Sequence, residues 1–183
     1  MIEDYFKIKG KVVVITGAGG LLGKQHAEII AIFGGIPILL DKNINSIKSF
    51  SERIQIKYGV ETLALRVDIT KEREVKDALK KIIKKQKKID GLINNAANNP
   101  KVEKNKSQFL RLENFDLKVW SDDINVSLTG SLICSKYFGT EISKNPSGGS
   151  IINISSDLGI ISPDQRLYQK KNIPKNKQIV KPV

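Results

Sequence analysis

One cysteine, Cys134, and one histidine, His26, stand among the 183 residues. A single thiol cannot close an internal disulfide, and one thiol with one imidazole cannot build a Cys/His zinc centre, so no metal is expected. Chemistry must then come from hydroxyls, carboxylates, amides or a bound cofactor. Long apolar runs are missing as well. None approaches the ~20 residues that span a bilayer, so no membrane partner is expected. The opening Met1-Ile2-Glu3-Asp4-Tyr5 is acidic where a secretory signal would be basic, and no apolar core or small-residue cleavage site follows it. The chain is expected to be cytoplasmic.

What is abundant is positive charge, +12 in all. Clustered Lys and Arg would suit a nucleic-acid-binding module. The densest run, Lys80 to Lys88, argues against that reading: Val75, Ala78, Leu79, Ile82 and Ile83 recur at helical spacing, which puts the lysines on the opposite, solvated face. No aromatic residue interrupts the run to stack on bases. No nucleic acid partner is expected.

Strand-like apolar runs alternate with helical patterns, the mark of βαβ units in a parallel α/β sheet. Strands are predicted at Lys11–Ile15, Ile36–Leu40, Thr62–Val67, Ile89–Ile93 and Ser150–Ile154. Helices are predicted near Leu22–Phe33, Ile44–Lys57, Lys71–Lys87 and Leu117–Ser143. In the first of these, Leu22, His26, Ile30 and Phe33 follow one helical line, predicted to face the sheet and to leave His26 without a catalytic role. Asn98–Asn114 reads as a long loop, and Ser162–Val183, rich in Lys, Gln, Asn and Pro, as an irregular tail. The length fits one domain, residues 1–183.

Directly after the first strand, Thr16-Gly17-Ala18-Gly19-Gly20-Leu21-Leu22-Gly23 opens the first helix. Glycines there permit a tight turn and close approach of backbone to a pyrophosphate, whose charge meets the free N–H groups of the helix start. Gly17, Gly19, Gly20, Leu22 and Gly23 are therefore candidate cofactor residues. Asp41 ends the second strand 18 positions after Gly23, near the ~20-residue offset at which a carboxylate takes the hydroxyls of an adenosine ribose. A carboxylate there would repel a 2′-phosphate, so NAD is favoured over NADP.

At this point the sequence resembles the short-chain dehydrogenase/reductase family, in its single-domain branch, from about Lys11 to Gly159. Asp68 matches the family's adenine-contacting aspartate, followed by Ile69. Asn94-Asn95-Ala96-Ala97 is similar to its Asn-Asn-Ala-Gly motif, which adds Asn95 to the cofactor set. Trp120 and Gly130 resemble the family's Trp and Gly around a catalytic Asn, a position held here by Ser127; Asn125 projects from another side of the helix. In Asn153-Ile154-Ser155-Ser156, Ser156 matches the catalytic serine that orients the substrate.

The resemblance implies a Rossmann-like doubly wound sheet of order 3-2-1-4-5 and hydride transfer between NAD and a small-molecule secondary alcohol, ketone or sugar. The family's Tyr-x-x-x-Lys is not met: Tyr168 is followed four positions on by Asn172, with Lys170 and Lys171 off that helical line. The tail resembles an insertion found in oxidoreductases of flagellin and surface-sugar modification. On that resemblance the domain is expected to be incomplete at its C-terminus, lacking later strands. A homo-oligomer is expected of a full-length relative, less so of this chain. The rival expectations are a catalytically inactive NAD-binding fragment and, more remotely, the basic nucleic-acid-binding module.

Overall fold

The computed structural model describes residues 8–98, 112–174, 176, 178 and 180. The chain divides into two compact units, one of residues 1–97 and 125–154, the other of 98–124 and 155–183.

The first unit is built on five parallel strands, β1 (Val12–Thr16), β2 (Ile36–Asp41), β3 (Leu63–Arg66), β4 (Gly91–Asn94) and β5 (Ser150–Asn153), in the order β3-β2-β1-β4-β5. In the shared register Val14 lies opposite Ile38 on one flank and Leu92 on the other, and Ile93 lies opposite Ile152. Crossovers come from α1 (Leu21–Ile32), α2 (Ile44–Tyr58) and α3 (Glu72–Gln86). Because successive side chains alternate across a strand, the sheet feeds two cores. Val12, Val14, Ile38, Leu40 and Leu92 join Val75, Ala78 and Ile82 of α3 together with Cys134, Phe138 and Ile142. On the other face Ile15, Leu39 and Ile93 pack with Ala27 and Ala31 of α1 and Ile47, Phe50 and Ile54 of α2. The lysines of α3 lie outward: Lys76, Lys80, Lys81, Lys84 and Lys85 are exposed.

The buried line of α1 is Gly23, Ala27 and Ala31, which corrects the predicted line through Leu22 and His26. The cause is close packing. A Cβ on Gly23 would overlap the Gly17 carbonyl oxygen and lie 2.7 Å from Ala18 Cα, so only the smallest side chains fit against the sheet. Leu22 is 53% exposed. His26 is half-buried, its Nε2 enclosed without a hydrogen-bond partner among the described residues.

Near Leu117–Ser143 the helical residues run from Leu117 to Ile142. In the first unit they comprise π-helical Asn125–Gly130, α5 (Ser131–Cys134), π-helical Ser135–Gly139 and α6 (Thr140–Ile142). Both π segments end on a glycine pressed against a neighbour, Gly130 against Ile69 and Gly139 against Ile151. At the foot of the sheet, buried Asp90 accepts from Val12 N–H (2.9 Å) and pairs with Lys88 (2.9 Å) and Lys11 (3.1 Å).

The second unit holds a 3-10 turn at Leu112–Asn114, α4 (Leu117–Ile124), and 3-10 turns at Asp157–Gly159 and Gln165–Tyr168. Most of the predicted Asn98–Asn114 loop lies outside the described residues. The described residues beyond Tyr168 form no α-helix or strand. No described helix is long and apolar enough to cross a membrane, and no group of three His, Cys, Asp or Glu among the described residues could hold a metal ion.

Candidate functional site

The carboxyl ends of β1, β2 and β4 converge on the glycine loop. Gly17 leaves β1 with φ +61°, in the left-handed region, and a Cβ there would lie 2.7 Å from Ala96 Cα. Only glycine makes this turn at this clearance. Gly20 N–H donates to the Gly17 carbonyl (3.1 Å), and Lys24 N–H is the first to reach a carbonyl one turn back, at Gly20 (3.1 Å). The N–H groups of the opening turn of α1 therefore have no intrahelical acceptor, which is the arrangement a pyrophosphate uses. Side chains at 17, 19 or 23 would strike Ala96, Ser46 or the Gly17 carbonyl, so the loop keeps its tight course only with glycine there. Its residues fit a dinucleotide.

Asp41 closes the cradle from β2. Its Oδ2 accepts from Gly19 N–H at 2.9 Å and its Oδ1 from Asn43 N–H at 2.9 Å, so the carboxylate is held against the loop rather than swinging in solvent. Asn43 in turn caps α2, accepting from Asn45 N–H at 3.1 Å.

From β4, Asn95 ties the loop down. Its Nδ2 donates to the carbonyls of Thr16 (3.0 Å) and Gly17 (3.2 Å). The fully buried Thr16 hydroxyl accepts from the N–H groups of Asn95 (3.0 Å) and Ala96 (3.1 Å) and donates weakly to Ile93 O (3.4 Å). Next to it Asn94 Nδ2 donates to Asn153 Oδ1 (2.8 Å) and Ser135 Oγ (3.1 Å), joining β4 to β5. Thr16 and Asn94 belong to motifs that the sequence displays, yet their bridging roles depend on partners far along the chain.

Beyond β3, Asp68 Oδ1 accepts from Thr70 N–H (3.1 Å) and Thr70 Oγ1 (2.7 Å), with Lys71 Nζ 3.7 Å from Oδ2. Burial alone would raise its pKa, but the Thr70 bonds and Lys71 outweigh it and hold the carboxyl below the usual value. The Ile69 side chain is buried under Gly130, so Ile69 can offer a ligand only its backbone.

The two serines lie in different units. Ser127 is exposed within the first π segment of the first unit. Ser156, in the second unit, caps the turn at Asp157–Gly159: its Oγ accepts from Leu158 N–H (3.2 Å) and donates to Asp157 Oδ1 (3.0 Å). Tyr168 ends a 3-10 turn, and Asn172 sits at φ +63°, so the backbone between them does not form the helical turn that would align the two.

The family model of the short chain dehydrogenases matches residues 11–168. Post-translational flagellin modification protein A of Campylobacter coli is 29% identical over 162 residues, 88% of this chain and 61% of that protein. Among solved structures, an NAD+-bound xylitol dehydrogenase superposes with TM-score 0.76 at 26% identity, covering 86% of this chain and 57% of the other. An NADPH-dependent 3-quinuclidinone reductase from Rhodotorula rubra gives TM-score 0.75 at 26% identity, covering 88% and 57%. The chain thus spans about three fifths of the length of the relatives it matches.

Proposed function

The chain belongs to the short chain dehydrogenase family, and from that premise we propose that it binds NAD in preference to NADP and supports hydride transfer between NAD and a secondary alcohol or its ketone, sugar hydroxyls included. The likeness to solved structures is compatible with either dinucleotide, one neighbour being NAD+-bound and another NADPH-dependent. The observation that carries the choice is the Asp41 carboxylate pinned on Gly19. It meets a ribose diol with acceptors for two hydroxyl donors, and it meets the phosphate of NADP with like charge.

In this reading Gly17, Gly19, Gly20, Leu22 and Gly23 hold the pyrophosphate at the start of α1. Asp41 takes the adenosine ribose, Asp68 and the Ile69 backbone take the adenine, and Asn95 keeps the loop in place. When bound, the nicotinamide supplies the hydride chemistry. Ser156 carries a hydroxyl that can hold the substrate oxygen once it exchanges its local bonds, and Ser127 one that can hold a water. Calorimetric titration tests the cofactor claim: NAD is expected to bind more tightly, Asp41→Ala is expected to narrow the preference, and equal or tighter NADP binding refutes it.

Tyr168 favours a second reading, a chain that binds NAD without turning over, because Asn172 stands where the proton relay requires a lysine. NADH formation from a panel of secondary alcohols and polyols decides between the two. Binding without NADH supports the second.

A further inference from the structure

The Asp41 carboxylate shares its place over the loop with Ser46, in the first turn of α2. A Cβ built on Gly19 would overlap Ser46 Oγ and lie 2.8 Å from Ser46 Cβ and 2.9 Å from Asp41 Oδ2. The side-chain face of Gly19 is thus lined by two oxygens from two elements.

What those oxygens can offer is settled by their other bonds. Asp41, as a carboxylate, has no hydrogen to give, and its oxygens already accept from Gly19 and Asn43 N–H. A serine hydroxyl in isolation can donate or accept. Here the hydrogen is committed, because Ser46 Oγ donates to the Asn43 carbonyl at 2.6 Å, an oxygen that also takes the Ser46 N–H at 3.2 Å. Only lone pairs of Ser46 Oγ remain. The corner over Gly19 offers acceptors from both sides.

From this we infer that Ser46 is a specificity-determining residue for the dinucleotide, acting together with Asp41. The inference rests on the assignment of Asp41 to the adenosine ribose. A ribose hydroxyl brings a donor to this corner and gains a second acceptor from Ser46. An ionised 2′-phosphate brings only acceptors, so it meets the charge of Asp41 and the lone pairs of Ser46 at once, the repulsive element on which discrimination depends.

The test is binding rather than turnover. NAD and NADP are titrated by calorimetry into the 183-residue chain and into Ser46→Ala, Ser46→Thr and Asp41→Ala, with a melting curve for each. Ser46→Ala removes the lone pairs and leaves Asp41 bonded to Gly19. The ratio of NAD to NADP affinity is expected to fall about threefold to tenfold, the scale of one lost polar contact, mainly through tighter NADP. Ser46→Thr, which keeps the hydroxyl, is expected to hold the wild-type ratio. If Ser46→Ala melts too low to titrate, Ser46→Cys, a weaker acceptor of similar shape, carries the same expectation. An unchanged ratio in these variants beside a collapsed one in Asp41→Ala overturns the role of Ser46 and leaves the Asp41 assignment standing. A wild-type chain that binds both dinucleotides equally, or neither, overturns that assignment and this inference with it.

Discussion

Replacing Thr16 by valine isolates one hydroxyl that joins β1 to the chain leaving β4. Valine keeps the shape of threonine and puts a methyl where Oγ1 was, so no cavity opens in the fully buried site. What changes is that the N–H groups of Asn95 and Ala96, which Oγ1 accepts at 3.0 and 3.1 Å, then face carbon. The 3.4 Å bond to Ile93 is too long to matter much. Each stranded donor costs about 1–3 kcal/mol when water cannot reach it; these two are partly buried, so the sum sits near the low end, about 2–4 kcal/mol. Against a whole-domain stability of roughly 5–15 kcal/mol, that is a large fraction. Urea unfolding followed by circular dichroism measures it, with the slope checked so that a change in compactness is not mistaken for a change in stability. Thr16→Ser, which keeps the oxygen and loses a methyl, is expected to cost only about 1 kcal/mol. Should valine prove milder than serine, or fall within about 0.5 kcal/mol of wild type, the hydroxyl is not what holds this corner.

Two further expectations concern groups outside the loop. Asp90 would have a raised pKa from burial alone, but Val12 N–H, Lys88 and Lys11 together hold it below the usual carboxylate value. Its stabilisation is therefore present above the unfolded pKa of about 3.9 and lost as pH falls through the lower folded value. Asp90→Asn should cost about 1–2 kcal/mol at pH 7, the lysines being half-exposed, with the gap closing below about pH 4; a gap that persists in acid would contradict the sign. Cys134 is buried and its thiol is pushed up to about 12 by desolvation. A thiol-reactive dye at pH 8 is expected to leave the folded chain untouched and to label one site per chain in denaturant, and rapid native labelling would mean that the helix packing around Cys134 opens readily.

The sheet was legible in the sequence because strands buried on both faces must be short, continuous apolar runs, and glycine pairs mark where such runs stop. Strand β2 begins at Ile36, as predicted, and ends at Asp41. The face of α1 differs from the expected one for a physical reason: a helical period places a stripe by its large apolar residues, whereas this helix is drawn so close to the strands that Gly23, Ala27 and Ala31 form the contact. The π segments had no local signal, and each ends on a glycine, Gly130 or Gly139, set close against a side chain distant in sequence. Within the site, Asp41 could be found by its offset from the loop, but its bond to Gly19 could not. Ser46 is one of several hydroxyls in α2, and only the folded chain shows that its hydrogen is already taken.

The strand order carries a consequence for the timing of folding. β1, the first of the five described strands in chain order, lies in the middle of their sheet, and its two flanks are completed at different moments. β2 and β3 are available once Arg66 has emerged, but the partner on the other side, β4, ends only at Asn94. At about 5–20 residues per second, translation leaves that flank open for roughly 1–6 s. The bonds that pin the glycine loop from this side, from Asn95 and Ala96 to Thr16 and Gly17, each close a span of 78 to 80 residues and wait for it. The glycine loop and Asp41 thus stand in place before the bonds that pin the loop from β4, and a ligand that prefers the pinned loop draws folding forward by mass action only at that final step.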